Sequence, residues 1–66
     1  MQNRIRQLRE ARGWSQAGLA DRLDVSRQTV NAIENGKRDP SLPLAFKLGK
    51  VFRRRIEAMF DPDEAR

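Results

Sequence analysis

The chain has 66 residues, with 14 Lys plus Arg against 9 Asp plus Glu, a net charge of +5 and a pI near 11.1. That length leaves room for one domain, residues 1–66, and a domain so small buries only about 60% of its unfolded surface, so it must be nearly all helical or stapled. Cys and His are both absent, which excludes disulfides, thiolate nucleophiles, Cys/His zinc sites and the usual neutral-pH proton shuttle. No apolar run approaches the length of a transmembrane helix, and the charged N-terminus has no signal-peptide core. The expectation is a cytoplasmic, basic binder without membrane, metal or cofactor.

Strict apolar alternation is missing, so strands are not favoured and the chain reads as helices throughout. Residues 3–12 set Ile5 and Leu8 among straight-chain helix formers, and Gly13 supplies a left-handed stop. Ser15 caps a helix running through Leu23 that buries Leu19, Ala20 and Leu23. Trp14 before the cap and Leu19 after it have the spacing of a hydrophobic staple. Gly18 weakens this helix by roughly 1 kcal/mol relative to Ala.

Asp24, Val25 and Ser26 alone separate that helix from a third, Arg27 to about Glu34, capped by Ser26, stapled by Val25 and Val30, and buried through Val30 and Ile33. So short a turn needs one residue at positive φ; Gly adopts it most easily, and Asp is tolerated. Asn35-Gly36 ends the third helix. Ser41 caps a fourth, with Pro43 in its first turn, where a missing N–H costs little. Beyond it Leu44, Leu48, Phe52, Ile56 and Phe60 recur every fourth residue. Propensity alone draws one helix from Leu42 to Phe60, whereas a break at Arg53-Arg54 gives a fifth helix folded back on the core.

Two capped helices joined by a tight turn describe a helix-turn-helix, spanning 15–35. With Val30 and Ile33 inward, the third helix turns Arg27, Gln28 and Asn31 outward, with Ser26 and Thr29 at the edge. Arg donates twice to guanine O6 and N7, and Gln or Asn pairs bidentately with adenine N6 and N7. Clustering at a helix N-terminus is the arrangement that presents side chains to base edges.

Gln16-x-x-Leu19-Ala20, Val25-Ser26-Arg27-Gln28-Thr29-Val30 and Ile33-Glu34-Asn35-Gly36 together resemble the Cro/C1-type (XRE-like) helix-turn-helix family of small bacterial and phage transcriptional regulators. The likeness runs from Ile5-Arg6-x-Leu8-Arg9 through Asp39-Pro40-Ser41-Leu42 to Ile56-Glu57-x-Met59-Phe60. It implies an all-α, compact five-helix, lambda-repressor-like domain that binds double-stranded operator DNA, usually as a homodimer, as a repressor or autoregulator. It also implies base reading by Arg27, Gln28 and Asn31, and backbone contacts by Gln16, Ser26, Thr29, Asn35, Lys37 and Arg38. Arg9 and Glu34 match a structural ion pair. Phe52, Ile56, Met59 and Phe60 are expected to be shared between the core and the dimer interface. The sequence departs from the family at Asp24, where Gly is usual, at Gly18 and Ala32, where Glu and a base-reading Gln are common, and at Arg53-Arg54-Arg55, where a Gly-apolar-Ser connection is typical.

Blander readings compete. Arg4, Arg6 and Arg12 read as a solvated face, Arg53-Arg54-Arg55 as a solvated helix end, and Trp14 as staple and core rather than a base-stacking platform. Asp61, Asp63 and Glu64 read as a solvated terminus, not a cation site. Without His or Cys, catalysis would need an activated Ser, Lys or carboxylate in a cleft that so short a chain hardly builds. No ligand-sensing segment is visible, so no small-molecule ligand is expected. The competing function is a protein-interaction module, antitoxin-like or adaptor, for which DNA binding is secondary. RNA binding is disfavoured for want of exposed aromatics.

Overall fold

A computed structural model describes residues 2–61, with the side chains of Gln2 and Asp61 left aside; Pro62, Asp63 and Glu64 lie outside the described residues. Five helices follow in order: α1 (Ile5–Ala11), α2 (Gln16–Leu23), α3 (Arg27–Glu34), α4 (Leu42–Phe52) and α5 (Ile56–Met59). The three serines cap as their positions imply. Ser15 Oγ accepts from Gly18 N at 2.9 Å, Ser26 Oγ from Thr29 N at 3.1 Å, and Ser41 Oγ from Leu44 N at 3.3 Å.

The first four helices end in one motif. A residue at positive φ follows each: Gly13 (φ 72°), Asp24 (59°), Gly36 (73°) and Arg53 (54°). The next residue's N–H then closes onto the carbonyl five positions back, Trp14 to Arg9 O, Val25 to Ala20 O, Lys37 to Ala32 O and Arg54 to Gly49 O, at 3.0–3.2 Å. This is the Schellman closure, which satisfies carbonyls that a helix end leaves orphaned. It makes each connection a sharp reversal. Val25 serves twice, closing α2 and, as the residue before Ser26, stapling the start of α3.

The break after Phe52 follows from that geometry. A straight helix through Phe60 would have carried Ile56 and Phe60 away from the core, whereas Arg53 turns the chain back so that Met59 and Phe60 are buried. Arg12 reinforces the break from another helix, donating from Nη1 to Val51 O at 3.2 Å and from Nη2 to Phe52 O at 2.8 Å. The guanidinium thus neutralises both the unpaired carbonyls and the partial negative charge at that helix end.

The core joins Ile5 of α1, Leu19, Ala20 and Leu23 of α2, Val30 and Ile33 of α3, Leu44, Leu48 and Phe52 of α4, and Met59 and Phe60 at the C-terminal end, with Leu8, Trp14, Val25, Val51 and Ile56 packed around it. Trp14 is half-buried as expected, its ring 5.6 Å from that of Phe52 and its outer face covered by the Arg22 guanidinium at 4.0 Å.

One element was not foreseen. Gln2–Asn3 (β1) and Phe60–Asp61 (β2) form an antiparallel ladder pairing Gln2 with Asp61 and Asn3 with Phe60. Two residues per strand are too few for any alternation to register in sequence. The ladder continues through Arg4 N to Met59 O at 2.8 Å, tying the start of α1 to the end of α5. Arg4, Arg6 and Arg12 are exposed, yet they are not merely solvated: each donates to a distant partner, respectively Ala58 O at 3.0 Å, Asn35 Oδ1 at 3.2 Å and the α4 terminus.

Candidate nucleic-acid interface

Helix α3 is fixed from behind. Val30 and Ile33 are 2% exposed, and α2 and α1 pack against it, so its rotation about its own axis is set by the core. Asn3 adds a brace, its Nδ2 donating to Ile33 O at 2.8 Å. The opposite face carries Arg27, Gln28 and Asn31, all exposed. Arg27 and Asn31, a turn apart, lie nearly in line along the axis, with Gln28 beside them. Among the described residues, neither Arg27 nor Gln28 is held by a hydrogen bond or ion pair of the protein, so their donors and acceptors face solvent.

The flanking residues fall around this strip. Ser26 is exposed at the helix start, while Thr29 is half-buried, its Oγ1 3.0 Å from Ser26 Oγ. Ala32 is half-buried on the same helix. Asn35, Lys37 and Arg38 are exposed just beyond the helix, extending the surface with two further cations. Gln16, half-buried at the first position of α2, donates from Nε2 to Glu34 Oε1 at 3.1 Å, which keeps its side chain beside α3.

Glu34 is the hub behind this surface. Besides Gln16 it receives Arg9 and stands 3.7 Å from Arg6 Nε. Burial pushes its carboxyl up, but the hydrogen bonds from Arg9 and Gln16 and the charges of Arg9 and Arg6 together outweigh this and hold it below its ordinary value. The hydrogen bond to Glu34 raises the Arg9 guanidinium in turn. The pair stays ionised, and α1, α2 and α3 are clamped at one point.

Sequence reasoning missed Arg6. Its Nη2 donates to Asn35 Oδ1 at 3.2 Å, and Asn35 Nδ2 donates to Asn31 Oδ1 at 3.0 Å. A first-helix arginine therefore reaches the outward strip through two amides. Its separation from Asn35 in sequence left nothing local to detect.

Of the four residues assigned to both core and dimer interface, Phe52 and Met59 are 0% and Phe60 5% exposed. The fold-back of α5 makes Phe52 and Met59 interior, while Ile56, half-buried, and the edge of Phe60 still reach the surface. The large apolar residues that are exposed are instead Leu42 and Phe46, at 67% and 56%. Leu42 borders an apolar groove of about 460 Å³ lined also by Asp39, Pro40, Ala45, Ile56, Glu57 and Phe60. Among the described residues no helix is long and apolar enough to cross a membrane.

The helix-turn-helix family profile matches residues 5–58. An uncharacterized HTH-type transcriptional regulator of Methanocaldococcus jannaschii is 50% identical over 60 residues, covering 91% of each chain. The HTH-type regulator YgzD of Bacillus subtilis is 45% identical over 60 residues with the same coverage. Among solved structures, the restriction-modification controller protein C.AhdI of Aeromonas hydrophila superimposes with a TM-score of 0.77 at 35% identity, covering 86% of each chain. The N-terminal DNA-binding domain of SinR from B. subtilis gives 0.77 at 26% identity over 92% of this chain and 90% of that one. The core-facing pattern of α2 and α3, the tight turn between them and these likenesses converge: the chain belongs to the Cro/C1-type (XRE-like) helix-turn-helix family of DNA-binding transcriptional regulators.

Proposed function

We propose that this chain is a sequence-specific repressor or autoregulator that binds a two-fold symmetric operator as a homodimer. The observation that carries the reading is the exposed strip of Arg27, Gln28 and Asn31 on a helix whose other face is locked in the core. In this reading those three side chains select bases. Gln16, Ser26, Thr29, Asn35, Lys37 and Arg38 meet phosphates and fix register, and Arg9 with Glu34 holds the helix in place. Occupancy of the operator blocks polymerase sterically. The role is one of cytoplasmic binding rather than catalysis, with no metal, cofactor or small-molecule ligand required.

One recognition helix makes too few contacts for useful discrimination, and a symmetric pair would set two such helices about 34 Å apart in successive major grooves. The surface best suited to pairing is the Leu42 and Phe46 side of α4 with its adjoining groove, since knob and hollow lie together, as an isologous contact requires. Lys50 follows Phe46 on the same side of α4, and the groove carries Glu57, so the two halves also offer charges of opposite sign.

Selection from random duplexes with the purified protein tests the whole reading, because it returns motif, symmetry and half-site spacing together. A palindromic motif is expected. Gln28→Ala should weaken the preferred site by about 1–3 kcal/mol while leaving non-specific affinity nearly unchanged. Unchanged sequence preference in that variant would remove the base-reading assignment. Affinity independent of salt, with tight binding to another protein, would favour the interaction-module alternative.

A further inference from the structure

We propose that Arg6 and Asn35 fix the side-chain amide of Asn31 so that it meets DNA as a hydrogen-bond donor, making an arginine of the first helix a positioning residue for sequence specificity. The inference rests on the DNA-reading role of α3 and adds which base edges one of its side chains prefers.

The polarity of the chain of bonds is set at its start. A guanidinium carries donors and no acceptor, so the Asn35 atom 3.2 Å from Arg6 Nη2 is the oxygen. The Asn35 amide nitrogen therefore faces the other way and donates to Asn31 at 3.0 Å, where it requires an oxygen. Asn31 is thus left with its Oδ1 turned along the helix toward Asn35 and its Nδ2 on the open side, where no hydrogen bond of the described residues holds it. Arg6 is itself anchored, its Nε 3.7 Å from Glu34 Oε1, so the relay begins at the buried hub and ends at the reading surface.

An unconstrained asparagine pairs bidentately with adenine, giving a donor to N7 and an acceptor to N6. Here Oδ1 is turned along the helix onto Asn35 Nδ2, so that although a carbonyl oxygen keeps a second lone pair, it is the Nδ2 donor that faces the open side. Guanine, with O6 and N7 both accepting, becomes the best partner at this position, and cytosine, which shows the major groove only its N4–H₂ donor, the worst. The relay converts an ambivalent amide into a one-way reader.

Asn35→Asp inverts the relay while nearly preserving shape. An aspartate accepts from Arg6 with one oxygen and from Asn31 with the other, so the Asn31 amide must turn and present Oδ1. In parallel selections, the wild type is expected to favour guanine over cytosine at one position of each half-site. Asn35→Asp should shift that position alone toward cytosine or adenine, a change in relative preference of about 5- to 150-fold, whatever its loss of overall affinity. Arg6→Ala should relax the same position without inverting it. The same base favoured in wild type and Asn35→Asp would overturn the proposal.

A wild-type selection that enriches no motif would sink the DNA-reading role itself, and amide exchange in the free protein then decides the relay. The Asn35 side-chain amide hydrogens should exchange more slowly than those of Asn31, with the difference lost in Arg6→Ala. Slower exchange at Asn31, or no difference in the wild type, would overturn the relay. The same measurement decides if Asn35→Asp binds no DNA.

Discussion

Arg9 grips Glu34 through two parallel contacts, Nε to Oε2 at 2.6 Å and Nη2 to Oε1 at 3.3 Å, with the Glu34 side chain 0% and the Arg9 side chain 11% exposed. A pair so deeply placed differs from a surface ion pair. Its desolvation has been met by geometry and by extra partners, Trp14 O at 2.8 Å from Arg9 Nη1 and the Gln16 amide on Glu34, and removing either ion strands the other.

Glu34→Ala should therefore destabilise the fold by about 3 kcal/mol, the lower end expected for breaking a buried pair, because Arg9 retains Trp14 O. For a domain of this size that corresponds to a fall in Tm of about 12–24 °C. Chemical denaturation of wild type and variant measures it. A loss under about 0.5 kcal/mol would place the pair among surface contacts of little consequence.

The same pair sets an acid limit. In the unfolded chain Glu34 protonates near its ordinary value of 4.5, and in the fold at a lower pH. As pH falls the unfolded state takes up the proton first, so the contribution is complete above the unfolded value and is lost as pH drops through the folded one. Thermal unfolding followed from neutral to strongly acid pH should show the stability difference between wild type and Glu34→Gln shrinking on acidification. A difference constant with pH would show that the carboxylate charge is not what the clamp uses.

Two of the four helix-ending residues are not glycine, and each carries strain. An L-residue in the left-handed region costs roughly 1 kcal/mol, with Asp better tolerated than most. Arg53 is exposed and donates no side-chain bond that the turn needs. Arg53→Gly should raise stability by about 1 kcal/mol in denaturant titration, and Asp24→Gly by less. A loss at position 53 would indicate that the arginine side chain contributes something its exposure conceals.

These turns also mark how far the chain could be read. Ser15, Ser26 and Ser41 as caps, the two staples and the glycine stops are local signals, with cause and effect within five residues, and α1 to α3 and the start of α4 follow from them. The break that separates α5 was implied only by the family resemblance. The face of α3 followed too, because Val30 and Ile33 dictate what lies opposite. What escaped was long-range: Arg12 capping α4, Arg6 reaching Asn35, and the ladder from Asn3 to Phe60. An arginine that caps a distant helix has the same sequence surroundings as one that points into water. Apolar periodicity marked Phe52, Met59 and Phe60 for burial, as found, but such a pattern does not say whether the same chain or another provides the cover.

The cations beyond α3 give a sharper electrostatic test. Lys37 and Arg38 are exposed on the loop that leaves α3, where the phosphate contact proposed for them would require only charge. Lys37→Ala should weaken all duplexes about equally and reduce the slope of log affinity against log salt by about 0.9. Affinity titrations at several salt concentrations, on preferred and scrambled duplexes, measure both. A loss confined to the preferred duplex would move Lys37 from the phosphate set to the base-reading set.

The proposed dimerisation can be separated from folding because the residues assigned to it contribute little to the protomer core. Phe46 is more than half exposed, at 56%, so its replacement removes few internal contacts, whereas altering Phe52 or Met59 would collapse the protomer. Phe46→Glu should leave Tm nearly unchanged, abolish self-association in sedimentation equilibrium, and lower operator affinity by at least about 100-fold, because two half-sites no longer bind as a unit. Half-site affinity should fall little by comparison. A variant that still dimerises would move the pairing surface away from α4, and one that loses dimerisation but keeps full operator affinity would show that a single protomer suffices for recognition.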